Sequence, residues 1–146
     1  MDATKKRRVL TETEMLSIVE STEAELLHAD EQLGIIGRQI VDGLFTPGMF
    51  NDMVKRGSHT ASTINVEGKP AFIIIHCRNE LGWLFVDGAI SLGNHSLEFL
   101  FDGGEAVARH FGAPAVLFVT KLKALYRYAT EQGYQSAGVV LAKKLS

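Results

Sequence analysis

The 146-residue chain lacks features that mark several large classes of protein. It has a single cysteine, Cys77, which excludes an intramolecular disulfide and any zinc site built from several cysteines. No apolar run approaches the roughly 18 residues of a membrane span. Residues 1–8 are too polar to open a secretory signal. We therefore expect a cytoplasmic, reducing environment and no membrane partner.

The chain also lacks an excess of positive charge. Its 15 basic and 17 acidic residues give a net charge of −2, which argues against nucleic acid as a partner. The charges are unevenly placed, because Lys5–Arg8 is a basic tetrad and no Lys or Arg occurs from Val9 to Gly37. The Asp and Glu side chains of residues 9–37 therefore have no basic neighbours in sequence. Such an acidic stretch fits either a partner surface or the solvated face of a helix.

The length and the balance of apolar and charged residues are those of one folded domain. We expect a single domain over residues 1–146. Within it, residues 1–8 are expected to form a flexible basic tail or a short first strand.

Helical signals dominate the first third of the chain. Thr11 and Glu14 have the spacing of a capping box, and apolar residues then recur at helical intervals. The pattern predicts one amphipathic helix from about 12 to 31 and leaves 35–43 undecided. Thr46-Pro47 predicts the start of a second helix, which Gly57 is expected to end.

The middle of the chain has the composition of β-strands. Residues 59–66 are rich in β-branched side chains, and Ala71–Cys77 and Trp83–Leu92 are apolar runs separated by turn sequences. These segments predict an antiparallel meander. Gly88, inside the third strand, indicates a β-bulge.

The last third alternates helix and strand. Glu105–Phe111 and Lys121–Gln132 are expected to be helices, and Gly103-Gly104 interrupts the helical pattern before the first of them. Ala115–Thr120 reads as a buried strand parallel to Trp83–Leu92, because a long crossover separates the two. Another strand is expected at the end. The order predicts an α+β fold, a mixed sheet covered by helices, with Phe72, Ile74, Phe85, Leu117 and Phe118 in its core.

This order of elements resembles the GNAT superfamily of acyl-CoA-dependent N-acyltransferases. The resemblance is carried by Ala115–Thr120 running into a helix, then the Gly133-Tyr134 pair, then a final segment with Lys143 and Lys144. It implies that the fourth and fifth strands splay apart and that acetyl-CoA lies in the gap. Trp83–Leu92 would be the fourth strand. The implied contacts with the cofactor include Phe85, Val86, Gly88 and Thr120.

The resemblance also implies a loop that binds pyrophosphate through backbone N–H groups. Two segments compete for this role, namely Gly93-Asn94-His95 directly after the fourth strand and Gly104-Glu105-Ala106 further on. Neither carries Arg or Lys, so the loop is degenerate relative to the family pattern. The pyrophosphate would then rest on N–H groups at the start of a helix.

Two side chains are candidates for proton transfer. Many members of the family carry a Tyr-x-Lys-x-Gly-Phe motif, and Tyr128 lies one residue from the implied tyrosine position, as a candidate general acid. Asp87, on the fourth strand, is the candidate general base. His76 adjoins Cys77, but neighbouring strand residues point to opposite faces, which argues against a Cys–His pair. No metal site is expected, because the remaining histidines lack ligand spacing: His28, His59, His95 and His110.

Two functions stay open at this point. The first is transfer of an acetyl group from acetyl-CoA to the amine of a small molecule or a protein. The second is a GNAT-like fold without catalysis, serving as a structural or binding subunit of a larger assembly, such as a bacteriophage particle, and located in the virion. An unrelated α+β ligand-binding domain is a third class.

Overall fold

A computed structural model describes residues 16–40, 46–93, 99–119, 123–138 and 143. The strands form one mixed sheet in the order β1-β2-β3-β4-β5. The elements are β1 (Leu16–Glu20), α1 (Glu23–Ile40), α2 (Met49–Lys55), β2 (Thr60–Val66), β3 (Lys69–Arg78), β4 (Leu84–Ser91), α3 (Phe99–His110), β5 (Val116–Phe118) and α4 (Lys123–Glu131).

The start of the fold differs from the expected helix over 12–31. Residues 16–20 form β1, which pairs antiparallel with β2. The capping box belongs to the next Thr-x-x-Glu: the Thr22 N–H donates to Glu25 Oε1 at 2.8 Å, and the Glu25 N–H donates to Thr22 Oγ1 at 3.1 Å. Helix α1 then continues through Gly34 and Gly37. Thr11, Glu14 and the expected strand at 7–10 lie outside the described residues.

Helix α2 begins two residues after Pro47 and is anchored by α1. The buried carboxylate of Asp30 accepts hydrogen bonds from the N–H groups of Gly48, Phe50 and Asn51, at 2.7, 2.7 and 3.2 Å. These donors lie at the start of α2, where backbone N–H groups lack partners within the helix. The contact fixes α2, and the turn that follows it, against the sheet.

The meander of β2, β3 and β4 is confirmed, with antiparallel pairing throughout. The bulge expected at Gly88 is present. Ile75 pairs with Gly88 while His76 pairs with Val86, so Asp87 is the extra residue of β4. A bulge bends its strand and redirects the extra side chain. Gly88 also lies against α1, because a Cβ there would be 2.5 Å from Leu33 Cδ1.

Strands β4 and β5 are parallel neighbours, as predicted. They pair over three residues only, from Leu84 with Val116 to Val86 with Phe118, although β4 continues to Ser91. The pairing therefore stops at the residue before the bulge. Within the described part of the chain, no strand pairs with this edge of β4 beyond Val86.

The core lies on both faces of the sheet. Helices α1 and α2 cover one face and α3 covers the other. Phe72 and Ile74 are fully buried, which confirms their predicted role. Phe85, Leu117 and Phe118 are half-buried, and Phe118 packs against the core from β5.

Helix α3 runs through Gly103-Gly104, which the sequence analysis expected to interrupt it. A Cβ at residue 103 would lie 2.9 Å from Ile64 Cδ1, and one at residue 104 would lie 2.3 Å from Phe118 Cζ. The two glycines thus let α3 approach the sheet closely. Gly104 and Ala106 lie inside the helix, where each N–H binds a carbonyl four residues earlier. N–H groups engaged in this way do not point at a pyrophosphate, so the function proposed below does not use these two residues.

Gly104→Ala is expected to lower the free energy of unfolding by about 1–3 kcal/mol, because the added methyl overpacks the Phe118 ring. Gly34→Ala in α1 is the control. A Cβ there meets nothing within 4 Å, and the gain in helix propensity is worth up to about 1 kcal/mol. Urea unfolding measures both. Equal shifts in the two variants would contradict the packing role of Gly104.

After α4 the chain turns at Gly133, with φ +93°, as predicted. The expected final strand Tyr134–Leu145 is not formed over 134–138, which have no regular structure. Most of its remaining residues lie outside the described part of the chain. No helix of the described residues has the length and apolar character to span a membrane.

Candidate functional site

The candidate site lies where β4 and β5 part. Asp87, the bulged residue, is the first residue of β4 after the pairing with β5 ends. The register of β2 and β3 pairs Ala61 with Ile75 and Thr60 with His76, so the next position along places His59 beside Cys77. Three strands thereby bring His59, Cys77 and Asp87 together on the face that α1 and α2 cover.

The three side chains are in contact. His59 Nε2 is hydrogen-bonded to Asp87 Oδ2, and the Cys77 Sγ–H donates to the same oxygen across 3.8 Å. The side chains of His59 and Asp87 are 15% and 26% exposed, so solutes can reach the group. The sequence pattern predicts Asp87 as a site residue but does not predict His59. The only local feature of His59 that points to the site is its position just before a strand.

The turn after α2 orients the His59 ring. The Ser58 Oγ–H donates to the Met53 carbonyl at 3.0 Å, and the same carbonyl accepts the N–H groups of Ser58 and His59. Ser58 Oγ also lies 3.0 Å from His59 Nδ1. Since a hydroxyl has one proton, Nδ1 must be the donor in this second contact. Nε2 is therefore the nitrogen directed at Asp87.

His76 and Cys77 occupy opposite sides of β3, as predicted. His76 is 4% exposed, and its Nε2 lies 2.8 Å from Ser62 Oγ. Burial, the negative charge of Asp87 and the hydrogen bond to Asp87 all raise the pKa of the Cys77 thiol. A raised pKa keeps the sulfur protonated at neutral pH, so Cys77 is a poor nucleophile.

The stability of the protein is expected to fall as the pH drops below about 6.5. Burial, followed by the charges of His59 and Arg78, lowers the pKa of His76 to about 4. The unfolded chain binds a proton at His76 between pH 6.5 and 4 and the folded chain does not, so protonation favours unfolding there. The loss from this group is about 3 kcal/mol. Urea unfolding between pH 7 and pH 4.5 measures it.

His76→Gln is the matched control, because its amide can keep the contact with Ser62 and cannot titrate. Its stability should change less over this pH range than that of the unmodified protein. The same pH dependence in both proteins would show that another group controls the acid sensitivity.

The structure describes only some of the other residues that were predicted to contact the cofactor. Val86 is buried beneath α3, and Phe85 is half-buried beside it on β4. Gly93 is exposed, with φ +89°. Asn94, His95 and Thr120 lie outside the described residues. The segment after Gly93 leads to the N-terminus of α3, whose first turn contains Asp102 and no basic residue.

Tyr128 lies away from Asp87. Its side chain is 2% exposed and packs with Phe101 and Ala129, with its ring centroid 5.8 Å from that of Phe101. This cluster lies between α3 and α4, whereas Asp87 points to the face covered by α1 and α2. The structure does not bring the two candidate catalytic residues together, and Tyr128 has no role in the function proposed below.

Several solved structures with a similar fold are acetyltransferases. The aminoglycoside N-acetyltransferase AAC(6′)-Iy, in complex with a bisubstrate analogue containing CoA, matches with a TM-score of 0.56 and 11% identity over 90% of this chain and 99% of its own. A GCN5-related N-acetyltransferase from Ralstonia eutropha matches equally, with a TM-score of 0.56, 11% identity and the same coverage. A GNAT family acetyltransferase from Brucella melitensis, in complex with acetyl-CoA, has a TM-score of 0.55 and 14% identity over 84% of both chains.

No protein-family model and no curated protein matches the sequence. The structural matches show that the chain has the fold of the acyl-CoA N-acyltransferases, with a mixed sheet and parallel β4 and β5. None of these three structures is a virion protein, so they lend no support to a role in a bacteriophage particle.

Proposed function

We propose that the protein transfers an acetyl group from acetyl-CoA to an amine. The observation that carries the proposal is the parting of β4 and β5 after three residue pairs, at the bulge formed by Asp87. Beyond it the edge of β4 over residues 87–90 has no second paired strand in the described chain. Such an edge can hydrogen-bond an extended ligand that carries amides, as the pantetheine arm of CoA does. Two of the similar structures contain acetyl-CoA or a CoA analogue, which supports this choice of ligand.

The proposed cofactor follows β4 from Asp87 towards the N-terminus of α3. The thioester would lie beside the bulge, and the pyrophosphate would lie near Gly93 and the first N–H groups of α3. Asn94 and His95 of the same loop, and Thr120 after β5, remain expected contacts. Asp102 in the first turn of α3 adds negative charge at this end. We therefore expect the pantetheine arm to contribute more to affinity than the phosphates.

The reaction requires removal of a proton from the acceptor. The amine nitrogen attacks the thioester carbonyl carbon, a C–N bond forms, the C–S bond breaks, and CoA leaves as a thiolate. Asp87 is the proposed general base, because its carboxylate is accessible and lies at the point where the strands part. The hydrogen bond with His59 holds this carboxylate in place. Its negative charge also favours the approach of a protonated amine.

The exposure of Asp87 bears on which class of amine can be the acetyl acceptor. Asp87 lies at the surface and not in a closed pocket, so the amine of a small molecule and the side-chain amine of a protein can both reach it. The aminoglycoside N-acetyltransferase among the similar structures makes small amines the first panel to test.

Calorimetric titration with acetyl-CoA tests cofactor binding, with micromolar affinity expected. Adenosine 3′,5′-diphosphate is the control ligand, because it keeps the ribose phosphates of CoA and lacks the pantetheine arm. It should bind much more weakly than acetyl-CoA. An assay of released thiol over a panel of amines then tests transfer. If no heat is measured up to millimolar acetyl-CoA and no thiol is released with any amine, the proposed acetyl transfer is contradicted.

A further inference from the structure

We propose that His59, Cys77 and Asp87 form a binding site for a transition-metal dication with the ligand preferences of Zn²⁺. The donor atoms are one imidazole nitrogen, one sulfur and one carboxylate oxygen, and all lie within 4.8 Å of one another. Thiolate, imidazole and carboxylate are the three donor types that zinc takes in proteins. No metal was expected from the sequence, because His59 and the other histidines lack ligand spacing; His59, Cys77 and Asp87 are 18 and 10 positions apart.

The sulfur–oxygen distance suits tetrahedral coordination, whereas His59 Nε2 and Asp87 Oδ2 are in direct hydrogen-bond contact and must move apart to admit an ion. Zinc bonds of about 2.3 Å to sulfur and 2.0 Å to oxygen separate the two donors by about 3.5 Å. Cys77 Sγ lies 3.8 Å from Asp87 Oδ2. Small side-chain rotations can therefore bring both donors onto one ion. The backbones that carry them are held by the pairing of β2, β3 and β4.

The surroundings of His59 supply an independent argument. Histidines that bind metals commonly donate their second ring N–H to a nearby acceptor, which fixes the tautomer and the ring orientation. His59 Nδ1 has such an acceptor in Ser58 Oγ at 3.0 Å, and Ser58 is itself bonded to the Met53 carbonyl. The ring therefore presents Nε2 to Cys77 and Asp87.

The site has access for a metal ion and for a further ligand. Three protein donors leave the fourth tetrahedral position to water. The side chains of His59 and Asp87 are 15% and 26% exposed, so an ion can reach them from solvent. The nearby cationic Arg78 is engaged elsewhere, because its guanidinium donates to the carbonyls of Gly82 and Phe111. Binding displaces the proton of the Cys77 thiol, so the affinity should increase with pH.

Metal binding has a consequence for the proposed acetyl transfer. An ion on Asp87 would occupy the carboxylate lone pair that a general base needs, so the metal should inhibit the enzyme and a chelator should restore it. This consequence rests on the proposed function. The binding itself does not, and it is measured without any activity assay.

Titration of the tag-free, full-length protein with Co²⁺ tests the site. We expect one equivalent to bind with the absorption of a cobalt–thiolate bond, and Zn²⁺ to displace it. Cys77→Ser should abolish this absorption. His59→Gln and Asp87→Asn should each weaken binding at least tenfold, about 1.4 kcal/mol. His28→Gln, an exposed histidine on α1, is the matched control and should bind as the unmodified protein does.

Absence of the thiolate absorption would overturn the proposal. So would unchanged affinity in both His59→Gln and Asp87→Asn, which would show an adduct of the cysteine alone. A second measurement needs no variant: Zn²⁺ should protect Cys77 of the unmodified protein from alkylation. Alkylation at the same rate with and without Zn²⁺ would also overturn it.

Discussion

Asp87→Asn is expected to lower kcat for acetyl transfer by about 10²- to 10⁴-fold at neutral pH, the usual contribution of a general base. The change keeps the size of the side chain and removes its ability to take a proton. The affinity for acetyl-CoA should change little, because the cofactor is proposed to bind the β4 backbone. Initial rates of thiol release measure kcat, and calorimetry measures the affinity for acetyl-CoA. Both experiments contain a chelator, so that bound metal does not contribute.

Glu80→Gln is the control, since Glu80 is an exposed carboxylate in the turn between β3 and β4. It should keep full activity. An Asp87→Asn enzyme with normal kcat would place the base elsewhere. A loss of acetyl-CoA affinity in Asp87→Asn, with kcat unchanged, would show that the carboxylate supports the bulge and has no part in proton transfer.

Phe72→Ala should lower the free energy of unfolding by about 3–5 kcal/mol. Phe72 lies in the middle of β3, is fully buried, and packs edge-to-face on Phe99 of α3 with ring centroids 5.7 Å apart. Truncation leaves a cavity between the sheet and the helix that rigid β-strands cannot close. Because domains are stable by only about 5–15 kcal/mol, much of the total stability would be lost.

Urea unfolding measures this change, with Leu81→Ala as the comparison. Leu81 is 65% exposed in a turn, and its truncation should shift the free energy by less than about 0.5 kcal/mol. A loss in Phe72→Ala as small as that in Leu81→Ala would show that the contact between β3 and α3 does not stabilise the protein.

Two of the regions that differ from the sequence-based expectation, the start of the fold and Gly103-Gly104, depend on contacts between distant residues. Thr11-x-x-Glu14 and Thr22-x-x-Glu25 are equally good local signals for a helix start, and the choice between them depends on the pairing of residues 16–20 with β2, more than 40 residues away. Gly103-Gly104 is a poor helix sequence by propensity alone. It is helical here, and the absence of side chains at both positions lets α3 pack directly against Ile64 and Phe118.

Local pattern alone determined the meander, the bulge at Gly88, the end of α4 at Gly133 and the parallel order of β4 and β5. Each depends on a turn residue, an apolar run or a connection length that is visible in a short window of sequence. It also identified Asp87 as a candidate base on the fourth strand. The arrangement of the site was decided only by the tertiary structure. His59 and Cys77 reach Asp87 through the register of three strands, and register depends on pairing between distant segments, which no local pattern contains.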